Sequence, residues 1–230
     1  QGMFIVNFED TGDGTRYADI VINALYEWSS VNSESYYGYK YEVLREDIFL
    51  YDIKKSTNEK IQDITISFGG TDIENATLKV LQYLCELNLQ VNITLILGVG
   101  YKYLDELDSF LKQIDCSQIK VVHDVKFMAD YIYSSDLVIS GNGRMVYEIV
   151  SLGVPSIIIS QNEREMSHLF PTVCKGIKYL GYINTMSAEK LKESVLMMNT
   201  EVRMMMQEEL YHYAKEIREG SNKVVSIINE

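Results

Sequence analysis

The 230-residue sequence has no apolar run near the ~20 residues that a membrane-spanning helix needs, so no membrane span is expected. It shows no basic-then-apolar leader, and the expected location is the cytoplasm. It has no surplus of positive charge. Lys and Arg number 21 against 33 Asp and Glu, a net charge of −12. That argues against nucleic acid or anionic membranes as partners and leaves room for a local cationic site for one small anion. Clustered cysteines are absent too. Cys85, Cys116 and Cys174 lie far apart, with no CxxC or Cys/His spacing, so no zinc site is suggested. Each has apolar neighbours and reads as a buried free thiol. No DxD-type carboxylate pair for Mg²⁺ is evident, and no cofactor or metal is expected.

What is present is a globular composition, 47% hydrophobic and 23% charged, in a chain long enough for one large domain or one domain plus part of another. Residues 1–60 read as one segment. Gln1-Gly2-Met3 is an odd opening before Phe4 to Phe8, already strand-like. Ala18 to Ala24 is a second strand, 36–41 a tyrosine-rich loop, 42–50 a short strand with a turn of helix, and 54–60 a linker. The segment is too short to hold a large core alone. Residues 61–230 repeat strand and helix in turn. Strands are expected at 64–68, 91–97, 119–123, 137–139, 154–159 and 177–180. Helices are expected at 73–88, 103–114, 127–134, 146–152, 164–173, 188–198, 201–219 and 221–228. The first of these helices can be capped by Thr71 or Asp72. Alternation of this kind specifies an α/β fold, a Rossmann-like parallel sheet with helices on both faces, joined here to the tail end of a second α/β domain. The Met-rich stretch Met197, Met198, Met204, Met205 and Met206 reads as core filling of an amphipathic tail helix.

The organising stretch is Asp136 to Ser160. An apolar strand runs into Gly141-Asn142-Gly143, a two-turn helix follows, Gly153 and Pro155 stop it, and a second buried strand begins. Such a βαβ turn offers backbone N–H groups at a helix N-terminus, a setting for an anion. Glu148, one turn on, can accept hydrogen bonds from two neighbouring hydroxyls such as a ribose diol. Ordinary βαβ punctuation with a surface glutamate fits the same spacing.

Three stretches resemble a known family. ISFGGTD (66–72), HDV with the short helix after it (123–134) and DLVISGNGRMVYEIVSLGVPS (136–156) are similar to the C-terminal domain of GT-B nucleotide-sugar enzymes. The branch concerned holds the UDP-sugar hydrolase of pseudaminic acid biosynthesis and the spore coat polysaccharide biosynthesis protein of the G type. The peptidoglycan N-acetylglucosaminyl transferase is more distant. FIVNFED, ADIVINA and the YYG loop resemble the end of that family's N-terminal domain and the crossover from it. The resemblance implies UDP or a UDP-sugar in a cleft between two domains. Gly69 and Gly70 would let the backbone approach phosphate or sugar, and the backbone near Val125 would read the uracil edge. Gly141, Asn142 and Gly143 would cradle the diphosphate, Glu148 would hold the ribose, and the loop of Gln161 would lie near the sugar.

Two departures bear on function. Small hydroxyl residues are usual after the glycines, where this sequence has Arg144 and Met145. Arg144 either sets a charged fork on the diphosphate or points to solvent, and Met145 packs. The family's N-terminal domain also opens with a glycine-rich loop carrying a histidine that activates water, and no such loop precedes Phe4. None of His123, His168 and His212 has a Ser, Cys or paired carboxylate at triad-like spacing. The chain is expected to bind a nucleotide sugar and to need a missing N-terminal domain, or a homodimer partner, for full activity. A non-catalytic nucleotide-sugar-binding or protein-interaction module is the alternative.

Overall fold

The computed structural model describes residues 3–27 and 34–229; Gln1 and Gly2 lie outside them. The chain begins with three short strands, β1 (Val6–Phe8), β2 (Ile20–Asn23) and β3 (Glu34–Tyr37), paired in parallel in the order β1-β2-β3. A 3₁₀ turn spans Asp13–Tyr17, and two more, Tyr39–Tyr41 and Glu46–Leu50, follow β3. The strand expected within 42–50 is not there. Leu44 and Ile48 bury at a spacing of four, which suits turns rather than a pleat, and the Glu42 and Asp47 side chains are buried as well. Of residues 54–60, read as linker, Lys54 and Asn58 are bonded to the larger domain. Lys54 donates its backbone N–H to Leu152 (2.9 Å) and its ammonium to the carbonyls of Tyr133 (3.0 Å) and Ser135 (2.7 Å). The Asn58 amide donates to Asp136 at 2.7 Å.

Strand and helix then alternate. They run β4 (Asp63–Ser67), α1 (Ala76–Cys85), β5 (Asn92–Leu97), α2 (Leu104–Leu111), β6 (Ile119–His123), α3 (Met128–Ser134), β7 (Leu137–Gly141) and α4 (Met145–Ser151). Next come β8 (Ser156–Ser160), α5 (Glu163–Met166), α6 (Phe170–Val173), β9 (Ile177–Tyr182), α7 (Ala188–Leu196), α8 (Thr200–Arg218) and α9 (Gly220–Asn229). One helix expected over 164–173 is thus two. The six strands form one parallel sheet in the order β6-β5-β4-β7-β8-β9. Strand order reverses between β4 and β7, where Ile64 pairs with Leu137 and Ser67 with Ser140.

Period-2 alternation splits the strand residues between two cores. Ile64, Ile66, Ile139, Ile157 and Ile159 pack with Leu81 and Leu84 of α1 and Leu191 and Val195 of α7. Val138 and Ile158 pack with Ile132 of α3, Val146 and Val150 of α4, and Leu210 and Ile217 of α8. Both faces are covered, as a parallel sheet requires. Helix α9 then returns to the small sheet, setting Val224 and Ile227 against Ile20 and Ile22. Met198 and Met206 fill the core; Met204 and Met205 are exposed because α8 packs along one face only, and Met197, at the end of α7, is exposed too. Of the thiols, Cys174 is buried, Cys85 half-buried and Cys116 exposed in the turn after α2. Among the described residues no helix is long and apolar enough to cross a membrane.

Candidate functional site

Open parallel sheets bind ligands beyond the carboxyl ends of their strands, where the strand order reverses. Here that point lies between the loops after β4 and β7. The first loop is open. Gly69 has φ +76°, a conformation that side chains rarely adopt, and a Cβ on Gly69 or Gly70 would meet nothing within 4 Å. The loop rests on the glycine turn after β5. A Cβ on Gly98 would fall 2.5 Å from Gly69 O and from Gly70 Cα. The Gly100 N–H donates to Gly70 O at 2.8 Å. Asp72, buried behind the loop, accepts from the N–H groups of Ala76 (2.7 Å) and Thr77 (2.9 Å) and so caps α1.

The second loop is filled. The Glu165 carboxylate accepts from Asn142 N (3.1 Å), Gln161 N (2.8 Å) and Gln161 Nε2 (3.1 Å). Burial raises its carboxyl above the usual range, and those donors oppose the rise. The Asn142 amide donates to the carbonyls of Glu165 (2.7 Å) and His168 (3.0 Å), and His168 Nδ1 lies 2.6 Å from Asn142 O. Both the N–H and the side-chain amide of Asn142 are thus bonded within the fold. Gln161 donates to Phe68 O as well (2.9 Å), tying the β8 loop to the β4 loop, and its Oε1 is buried without a partner. The N–H groups of Gly143, Arg144 and Met145 have no acceptor among the described residues.

Arg144 neither stands free in solvent nor reaches an open turn. Its Nη1 donates to Glu42 Oε1 (2.8 Å) and its Nη2 to Glu9 Oε1 (3.3 Å), both from the first segment. Glu148 lies half-buried on α4, and its carboxylate accepts no hydrogen bond among the described residues. Burial pushes its carboxyl up to about 7, against the pull of Arg45 and Arg144. Val125 is half-buried between β6 and α3, its backbone N–H and C=O unbonded. The loop is held from the first segment. Arg45 donates to Lys126 O, and Asp47 caps α3 at Ala129 N (3.1 Å). No histidine is poised for chemistry. His123 is exposed, His168 is locked to Asn142, and His212 pairs with Glu216 (3.1 Å) on the surface of α8.

The glycosyltransferase family 28 C-terminal domain matches residues 64–227, from β4 into α9. The chain belongs to that family. Over 163 residues it is 35% identical to an uncharacterized protein of Methanocaldococcus jannaschii, covering 64% of this chain and 33% of that protein. Over 177 residues it is 26% identical to the spore coat polysaccharide biosynthesis protein SpsG of Bacillus subtilis, covering 70% and 50%. The chain thus spans a third to a half of these curated relatives. Among solved structures, Acinetobacter baumannii MurG aligns with 99% of this chain and 67% of its own, at TM-score 0.65 and 16% identity. The spinosyn rhamnosyltransferase SpnG, complexed with thymidine diphosphate, aligns with 93% and 57%, at TM-score 0.62 and 13% identity. At such identities the likeness is one of fold, and that fold is the α/β architecture of GT-B glycosyltransferases.

The sequence reading missed Glu165 within the matched residues, and Glu9, Glu42 and Arg45 in the segment before them. Glu165 had a local signal. Asn162 and Glu165 stand at capping-box spacing, and Asn162 Oδ1 accepts the Glu165 N–H at 2.9 Å. Glu9 and Glu42 reach the site across the chain, 135 and 102 residues from Arg144, and no spacing announces them.

Proposed function

We propose that this chain is the nucleotide-sugar-binding part of an enzyme that cleaves or transfers at a UDP-sugar for surface or spore polysaccharide synthesis. The branch in view is that of SpsG and the pseudaminic acid pathway hydrolase. In this reading residues 1–60 end an N-terminal half and 61–230 form the UDP-binding half. One observation carries it. Three unpaired N–H groups, of Gly143, Arg144 and Met145, stand one helical turn from the unbonded carboxylate of Glu148. That pairing suits a diphosphate followed by a ribose diol, with the helix dipole favouring the anion. The empty space over Gly69 and Gly70 admits phosphate or sugar, and the free backbone at Val125 suits a base edge. The N–H groups neutralise charge that develops on the leaving diphosphate.

The lack of a poised histidine favours a second reading, a binding module that depends on another chain or segment for catalysis. Calorimetry with UDP, thymidine diphosphate and GDP tests both. Binding of UDP that is lost in Glu148→Ala is the expected result. Absence of binding by every nucleotide at millimolar concentration overturns both readings. Hydrolysis of a UDP-sugar by the chain alone overturns the second.

A further inference from the structure

Glu42 is a deeply buried charge beside the site that the proposed function leaves unused. Its side chain is 3% exposed, Oε1 meets Arg144 at 2.8 Å, and Oε2 has no partner. Glu9 holds the same guanidinium at 3.3 Å but is differently supplied. Its carboxylate also accepts from Ala24 N (3.0 Å) and Leu25 N (3.2 Å). If Arg144 leaves, Glu9 keeps two donors and Glu42 keeps none. Nor can Glu42 follow. Its N–H is bonded to Tyr39 O (3.2 Å), and Gly220, opening α9, packs so closely that a Cβ there would lie 2.1 Å from Glu42 O. Around it stand Arg144 just before α4, Tyr147 and Glu148 of α4, and Glu9 just after β1, and the Gly220 backbone of α9 packs against it. An isolated buried carboxylate is far costlier than a neutral carboxyl.

We propose that Glu42 is a proton-linked counter-charge for Arg144. An anionic ligand at the turn after β7 draws the guanidinium away, and Glu42 then takes one proton from solvent. This rests on the nucleotide reading above. The trigger is local, because Arg144 directly follows Gly143 and its own N–H is one of the three unpaired groups, while its side chain, held by Glu42 and Glu9, is 48% exposed to solvent. Arrival of negative charge beside Glu9, Glu42 and Glu148 acts in the same direction. Burial already pushes the Glu42 carboxyl up to about 7, with Arg144 the main opposing influence, so losing Arg144 raises it further. Glu42 remains a positioning residue. It touches Arg144 and need not touch the ligand.

The test is calorimetric titration with UDP at about pH 8, where the terminal phosphate of UDP is already ionised, in two buffers of different ionisation enthalpy. The expected result is uptake approaching one proton per UDP bound. Affinity falls towards tenfold per pH unit above about 7. Glu42→Gln abolishes the uptake and flattens the profile, while Glu9→Gln retains both. UDP binding without proton uptake overturns the inference alone. So does uptake that persists in Glu42→Gln or vanishes only in Glu9→Gln. Absence of UDP binding overturns the nucleotide reading and this inference together.

Discussion

The two glycine turns at the reversal of strand order look alike in sequence and do opposite things. After β4, Gly69 and Gly70 border empty space, and their support comes from beneath, from Gly98 and Gly100. After β7, Gly141 borders side chains. A Cβ there would meet Gln161 Nε2 at 2.8 Å and the Glu165 carboxylate at 3.5 Å. One turn keeps glycine because nothing may stand over it, the other because something already does. A glycine-rich turn therefore does not by itself identify a ligand contact. What separates the two turns is the space over each glycine, together with the state of the neighbouring N–H groups.

The contrast breaks most severely at Gly98. A methyl group there would collide with the backbone of Gly69 and Gly70 at 2.5 Å, and backbone cannot rotate away as a side chain can. Gly98→Ala is expected to lose about 3 kcal/mol of stability and to displace the open turn, since overpacking of this kind costs ~1–3 kcal/mol. Thermal unfolding gives the first number, and UDP calorimetry reports the displacement. A stable variant that still binds UDP would show that the open turn does not depend on its support.

Glu165 holds the filled turn. Truncation in Glu165→Ala leaves the N–H groups of Asn142 and Gln161 and the Gln161 amide without their acceptor. Unmet buried donors cost ~1–3 kcal/mol each, and water entering the half-buried site offsets part of that. A loss of about 2 kcal/mol is expected by denaturant unfolding. Glu165→Gln, which keeps an acceptor oxygen, should lose less than half as much.

Sequence and structure agree where a single local rule operates. Hydrophobic alternation and glycine or proline stops mark β4 through β9, and Asp72 caps α1 from a position readable at sight. The pattern misleads where burial serves a charge instead of an apolar side chain. Glu42 and Asp47 interrupt the apolar run over 42–50, and their function depends on Arg144 and Ala129, far along the chain. At the turn after β7 the glycines were legible, but the anion bonded to Asn142 is the protein's own Glu165, brought there by the loop after β8. Long-range partners of a charged side chain leave no period in the sequence.

A smaller effect separates the carboxylates around α4 from the rest of the surface. Glu42 and Glu148, both raised to about 7 by burial, hold protons that the unfolded chain releases near its ordinary 4.5. Between those values the folded state binds more protons than the unfolded state. Their contribution therefore makes stability fall as pH rises from about 4.5 to about 7 and level off above. Unfolding temperature measured across this window in wild type and in Glu42→Gln checks it. The fall should be shallower in the variant, and an unchanged slope would remove Glu42 from the account.

The finest contrast lies within the open turn itself. Gly69 and Gly70 share the same empty space, but only Gly69 has a positive φ. Gly69→Ala must force a side chain into a left-handed backbone, at a cost of about 1 kcal/mol. Gly70→Ala meets no strain and no neighbour, so its effect on stability should stay within about 0.5 kcal/mol. Both methyl groups would occupy the space where the proposed ligand approaches the backbone. The expected pattern is unequal stability with a similar loss of UDP affinity, read by thermal unfolding and calorimetry on the same preparations. Equal stability would remove the conformational reason for Gly69. A Gly70→Ala variant that binds UDP as wild type does would show that the space over this turn is surface rather than site, and would leave the N–H groups after β7 and Glu148 as the whole of the nucleotide contact.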